Sequence, residues 1–116
     1  MITVIVTGRT ARAFSDDAVT VESKGIPVQF KFSDEWTSMD KVVCFASGET
    51  RFDVELTSDS CEVPAAVLTA SGPLRLGVYG HGNGAAMPST WTEVVVVKGV
   101  TKEDLAALLP DDPMEE

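Results

Sequence analysis

From Ile26 to Phe32 apolar and polar side chains alternate, with Ile26, Val28, Phe30 and Phe32 on one side and Pro27, Gln29 and Lys31 on the other. A period of two describes an extended strand with one apolar face and one wet face. Ser33-Asp34-Glu35 follow as polar turn residues, with Trp36 at their end. The stretch therefore predicts a central core strand whose outgoing turn lays a tryptophan over one end of the domain. The rest of the chain reads as further short strands laid against this one.

Residues 2–7 are a β-branched run closed by Gly8, residues 18–22 a short alternating strand and residues 41–46 an apolar one. Beyond Ser47-Gly48-Glu49, residues 50–56 place Phe52, Val54 and Leu56 on one face and Arg51, Asp53 and Glu55 on the other, which is a β-hairpin signal. Residues 61–63 give a strand fragment, and Pro64 opens one helical turn over 64–68. Residues 74–79 alternate again, with Leu74, Leu76 and Val78 against Arg75, Gly77 and Tyr79. Residues 80–88 read as a glycine-rich loop and 91–98 as a final, valine-rich strand.

About eight short strands at near-regular spacing, with no helix between them, predict an all-β fold, an antiparallel β-sandwich over residues 1–100. Its core is expected to join Phe30, Phe32, Phe45, Val54, Leu76 and Val78. After Val100 the period changes. Thr101-Lys102-Glu103-Asp104 has the form of an N-cap followed by first-turn acids, Leu105, Leu108 and Leu109 fall at helical spacing, and Pro110 stops the pattern. A short acidic C-terminal helix and tail is expected over 101–116. A helix of that length is marginal in water, so Leu105, Leu108 and Leu109 are candidate interaction residues that need a surface to dock on.

Composition narrows the partners. At 116 residues, 44% hydrophobic and 23% charged, the chain has the size and composition of one globular domain. Eighteen acids against nine bases give a net charge of −9 and a pI near 4.4. That balance argues against nucleic acid and anionic membrane surfaces, which both demand clustered cations. Six acids and one base lie beyond Val100, so the sandwich region itself is only mildly acidic. No basic and apolar leader pattern opens the sequence, so no signal peptide is expected. The apolar runs, residues 94–97 among them, are too short to span a bilayer.

Candidate chemistry is sparse. Gly80-His81-Gly82-Asn83-Gly84 joins two strands and lacks the lysine and the following helix of a phosphate-cradling loop. It reads as an exposed hairpin loop, with His81 and Asn83 as candidate contact residues. The chain holds one histidine, no Gly-x-Ser-x-Gly elbow and no CxxC, so no enzyme activity, no metal and no cofactor is expected. Asp34-Glu35 and Asp16-Asp17 are adjacent carboxylates, which strand or turn geometry points to different sides. Cys44 and Cys61 read as two free thiols rather than a disulfide. Trp36 and Trp91 read as core or end-cap aromatics, with stacking on a sugar as the other use of such rings.

Phe30-Lys31-Phe32-Ser33-Asp34-Glu35-Trp36, Val43-Cys44-Phe45, Phe52-Asp53-Val54, Cys61-Glu62-Val63-Pro64-Ala65-Ala66-Val67-Leu68 and Leu74-Arg75-Leu76-Gly77-Val78-Tyr79-Gly80 follow one another in an order that resembles a small β-sandwich module of tailed bacteriophages. The series is similar to the N-terminal domain of siphophage baseplate upper proteins and spans about residues 14–98. The resemblance implies a virion structural, adaptor or decoration protein of the tail or baseplate. Such a protein is assembled in the host cytoplasm, is oligomeric, and is held by contacts with other virion proteins or with copies of itself. The long coiled coil and receptor-binding head of that family are not expected here, since the pattern after the sandwich is a short helix. Two other readings remain beside it: a carbohydrate- or cell-wall-binding module using Trp36, Tyr79 or Trp91, and a small inhibitor of a host protein. Trp91, His81, Asn83, Leu105, Leu108 and Leu109 are the candidate interaction residues.

Overall fold

The computed structural model describes residues 1–82 and 84–100. Ten strands follow one another: β1 Ile2–Thr7, β2 Thr10–Ser15, β3 Val19–Thr20, β4 Pro27–Phe32, β5 Asp40–Ser47, β6 Thr50–Leu56, β7 Ser60–Glu62, β8 Gly72–Gly82, β9 Ala85–Pro88 and β10 Thr92–Val97. Single 3₁₀ turns cover Asp34–Trp36 and Ala65–Val67, the second beginning just after Pro64 as its sequence predicts.

The strands form two sheets, a four-stranded one in the order β2-β1-β4-β7 and a six-stranded one in the order β3-β10-β8-β5-β6, with β9 also paired to β8. The fold is all-β, with mixed strand orientation. β1 runs parallel to β4 and β10 parallel to β3, while every other pairing is antiparallel. The expected wholly antiparallel arrangement is corrected on these two pairings. Alternation fixes which face of a strand is apolar, but it carries no information on the direction of its neighbour. The helix expected over 101–109 lies outside the described residues.

One apolar cluster lies between the sheets. Ile2, Val4, Val6, Val28 and Phe30 enter it from the four-stranded sheet, and Val43, Phe45, Leu74, Leu76, Val78, Val94 and Val96 from the six-stranded one. Phe32 and Val54 are partly buried at its margin, so the six residues expected to share the core do not share it equally. Trp36 is fully buried. Its indole N–H donates to the Gly8 carbonyl at 2.8 Å, and its ring sits 5.4 Å from that of Phe32.

Two hairpins use the same turn. Thr7 opposes Thr10 across Gly8-Arg9, and Ser47 opposes Thr50 across Gly48-Glu49. In each the first loop residue is a glycine at φ +59°, the left-handed setting that a two-residue turn of the II′ kind places on glycine. At one sheet corner, the outer edge of β2 is closed by the residues leading into and opening β10. The N–H groups of Ala11 and Ala13 donate to the Thr90 and Thr92 hydroxyls, both at 3.0 Å, and the Thr90 N–H donates to the Arg9 carbonyl at 2.7 Å.

Candidate functional site

The outer face of the six-stranded sheet collects the most chemically varied side chains of the fold. Val43 and Phe45 face the core, so Val42, Cys44 and Ala46 of β5 face out. The same parity on β8 sends Arg75, Gly77 and Tyr79 outward, beside Cys44 and Val42 in register. On β10, Val94 and Val96 are buried while Glu93, Val95 and Val97 are exposed.

Trp91 enters β10 on this outer side and lies over Gly77. A Cβ at position 77 would stand 3.4 Å from its Cε3, in van der Waals contact, so the indole lies close over the sheet at this glycine. The Arg75 guanidinium sits 5.3 Å from the Trp91 ring centroid, a cation–π arrangement. Beside Trp91 a shallow pocket of about 150 Å³ is lined by Cys44, Arg51, Tyr79, Pro88, Ser89 and Trp91, with Gly77 among its remaining lining. Trp91 is 47% exposed and Tyr79 44%. Among the described residues neither the Trp91 indole N–H nor the Tyr79 hydroxyl has a hydrogen-bond partner.

The polar groups at the pocket are tied to one another. Arg51 donates through Nε to Asp53 Oδ1 at 3.0 Å and through Nη2 to the Cys44 sulfur at 3.3 Å. Burial, reinforced by the Asp53 carboxylate, pushes the Cys44 thiol up despite the opposing pull of Arg51. Cys44 is therefore a neutral thiol at physiological pH and a poor nucleophile. Cys61 lies on β7 opposite Val28, and both cysteines are free. Cys44 faces outward on one sheet and Cys61 inward on the other, an arrangement that does not bring the two sulfurs to bonding geometry. Among the described residues, no three His, Cys, Asp or Glu side chains gather to hold a metal ion, and no helix is long and apolar enough to cross a membrane.

The candidates named from sequence separate. Trp91 is on the surface, contrary to its reading as a core or end-cap residue, because its parity along β10 matches the exposed Glu93 and Val95 rather than the buried valines. Trp36 is the end cap, and its complete burial removes it as a sugar platform. His81 is exposed in β8, with its ring 6.5 Å from that of Tyr79. The segment read as a glycine-rich loop is largely a β-hairpin, with Gly82 opposite Ala85 and Tyr79 opposite Pro88. Asn83, Leu105, Leu108 and Leu109 lie outside the described residues. Arg75, Arg51 and Gly77 were missed. The signal for Arg75 and Gly77 is the alternation of residues 74–79 with a glycine on the outward parity, and that for Arg51 is the alternation of residues 50–56.

Comparison with known proteins finds no family model, no curated protein and no solved structure that matches the chain.

Proposed function

We propose that the chain is a non-catalytic β-sandwich module that binds another protein through the outer face of its six-stranded sheet. The observation that carries this reading is Trp91, half in water on a sheet face, with Arg75 against its ring and Tyr79 on the next strand. Tryptophan, tyrosine and arginine are the side chains that supply most of the binding energy at protein contacts. Val95 (64% exposed) and Val97 continue the apolar surface along β10. The setting proposed for the contact is a virion, in which the chain acts as a structural or decoration part. Its support is the ordered apolar series of the sequence alone. Mass spectrometry of purified particles tests it: the reading expects the chain as a stoichiometric component, and its absence from clean particles removes the virion setting.

A second reading draws on the same observation. An exposed indole beside an arginine and a tyrosine also suits stacking against a sugar ring. Titration with cell-wall oligosaccharides, followed by tryptophan fluorescence, separates the two. A saturable shift lost in Trp91→Ala favours the sugar, and a flat response favours protein contact.

A further inference from the structure

We propose that β6 is a self-pairing edge, and that the chain forms a two-fold dimer by laying β6 of a second copy antiparallel to its own, centred on Phe52. This goes beyond the reading above, since the contact lies at the edge of the sheet rather than on the Trp91 face, and its partner is the chain itself.

Two properties set β6 apart. It is the outermost strand on its side of the six-stranded sheet, and at seven residues it is longer than the other outer strands, β2, β3, β7 and β9. The edge of β2 is covered by the Thr90 and Thr92 hydroxyls, whereas among the described residues none of the backbone hydrogen bonds made outside the sheets involves residues 50–56. Uncovered edges of this length are templates for another strand. Phe52 is also misplaced for a monomer. It opposes Phe45, which is fully buried, so it stands on the core side of the sheet, yet it is 47% exposed. It forms one wall of an open groove of about 470 Å³, whose other walls include Val54, Val63, Pro64, Ala65 and Ala66.

The strand is complementary to itself in one register. The closing pair of a two-residue hairpin, here Ser47 and Thr50, exchanges backbone hydrogen bonds. Counting from it, Phe52 and Val54 direct their backbone groups to β5, while Arg51, Asp53 and Glu55 direct theirs to the open side. A two-fold axis at Phe52 then pairs Arg51 with Asp53 of the second copy, and Asp53 with its Arg51, through those free groups. The same axis brings the two Phe52 rings together over the two grooves. An axis at Asp53 would oppose two aspartates at its centre and part the two Phe52 rings, though it would pair Arg51 with Glu55, and one at Val54 would oppose Asp53 and Glu55 twice. Like charges directly opposite are destabilising; the axis at Phe52 keeps them from opposing one another within β6, its like-charge pairing of Glu49 with Glu55 falling at the hairpin turn, and it brings the two exposed Phe52 rings directly together. Such a contact is isologous, with the same patch used on both copies.

Sedimentation equilibrium on the full chain, at about 0.15 M salt and from about 5 to 500 µM, tests the proposal. The wild type should dimerise within this range. Arg51→Asp alone and Asp53→Arg alone should each raise the dimer dissociation constant at least about tenfold, and the double change R51D/D53R should bring it back to within about threefold of wild type. Both side chains are exposed, and circular dichroism checks that each variant folds. Trp91→Ala should leave the dimer intact. A wild type that stays monomeric, a dimer indifferent to Arg51→Asp, a double variant that does not recover, or a dimer lost in Trp91→Ala would each overturn the proposal.

Discussion

The indole of Trp36 occupies the space that a side chain at position 80 would need. A Cβ on Gly80 would come within 2.7 Å of Trp36 Cζ3 and 3.0 Å of the Met39 sulfur. The glycine near the end of β8 is thus a seat for the end cap. Gly80→Ala should cost about 1–3 kcal/mol in urea denaturation, because a fully buried ring has little freedom to retreat. The loss should shrink when Trp36 is first replaced by Phe, since the two changes share one contact. A loss below about 0.5 kcal/mol would show that the ring moves aside freely.

The core positions differ in weight. Phe30 is 2% exposed while Phe32 is only partly buried beside Trp36, with the Lys41 ammonium 4.9 Å from its ring centroid. Phe30→Ala should cost about 3–5 kcal/mol, and Phe32→Ala distinctly less, about 1–3 kcal/mol. Equal losses in parallel denaturant titrations would contradict this ordering.

The thiols give a pH signature. Burial, with Glu62 nearby, pushes the Cys61 thiol from 9.0 to about 11. The fold favours the neutral thiol, so its contribution to stability is complete below pH 9 and is lost as pH rises from 9 toward 11. Between those values Cys61→Ala should lose less stability than the wild type, measured as the change in urea midpoint. Thiol-reagent labelling without reductant should modify both cysteines once the chain is unfolded, and recovery of neither would reveal a disulfide.

Much of the strand pattern was legible, and the misses share a physical cause. Thr50–Leu56 and Ile2–Thr7 carry their alternation openly. β2 is hidden because its inward residues are Ala11 and Ala13, while its largest apolar side chain, Phe14, points out at 54% exposure. Its amphipathic signal is therefore nearly inverted. The end of β8 is hidden because Gly80 and Gly82 are there for close approach rather than for a loop. In the Trp91 site, the run Val94-Val95-Val96-Val97 is apolar at both parities, so the sequence does not say which side of β10 faces water. That fixed neither the exposure of Trp91 nor its seat on Gly77, since the register between β8 and β10 comes from packing. The parallel pairing of β1 with β4 was equally out of reach, as it joins strands that two others separate in the chain.

Trp36 is buried in the end of the fold, whereas the exposed Trp91 is the side chain proposed to meet a partner. The most direct measurement compares wild type and Trp91→Ala for incorporation into purified particles, alongside their melting temperatures. Trp91→Ala is expected to melt within a few degrees of wild type, a loss of no more than about 1 kcal/mol, and to be depleted from particles at least about tenfold, as for loss of a central contact residue. Equal incorporation of the variant, or a collapse in its melting temperature like that expected for Trp36→Ala, would contradict the account.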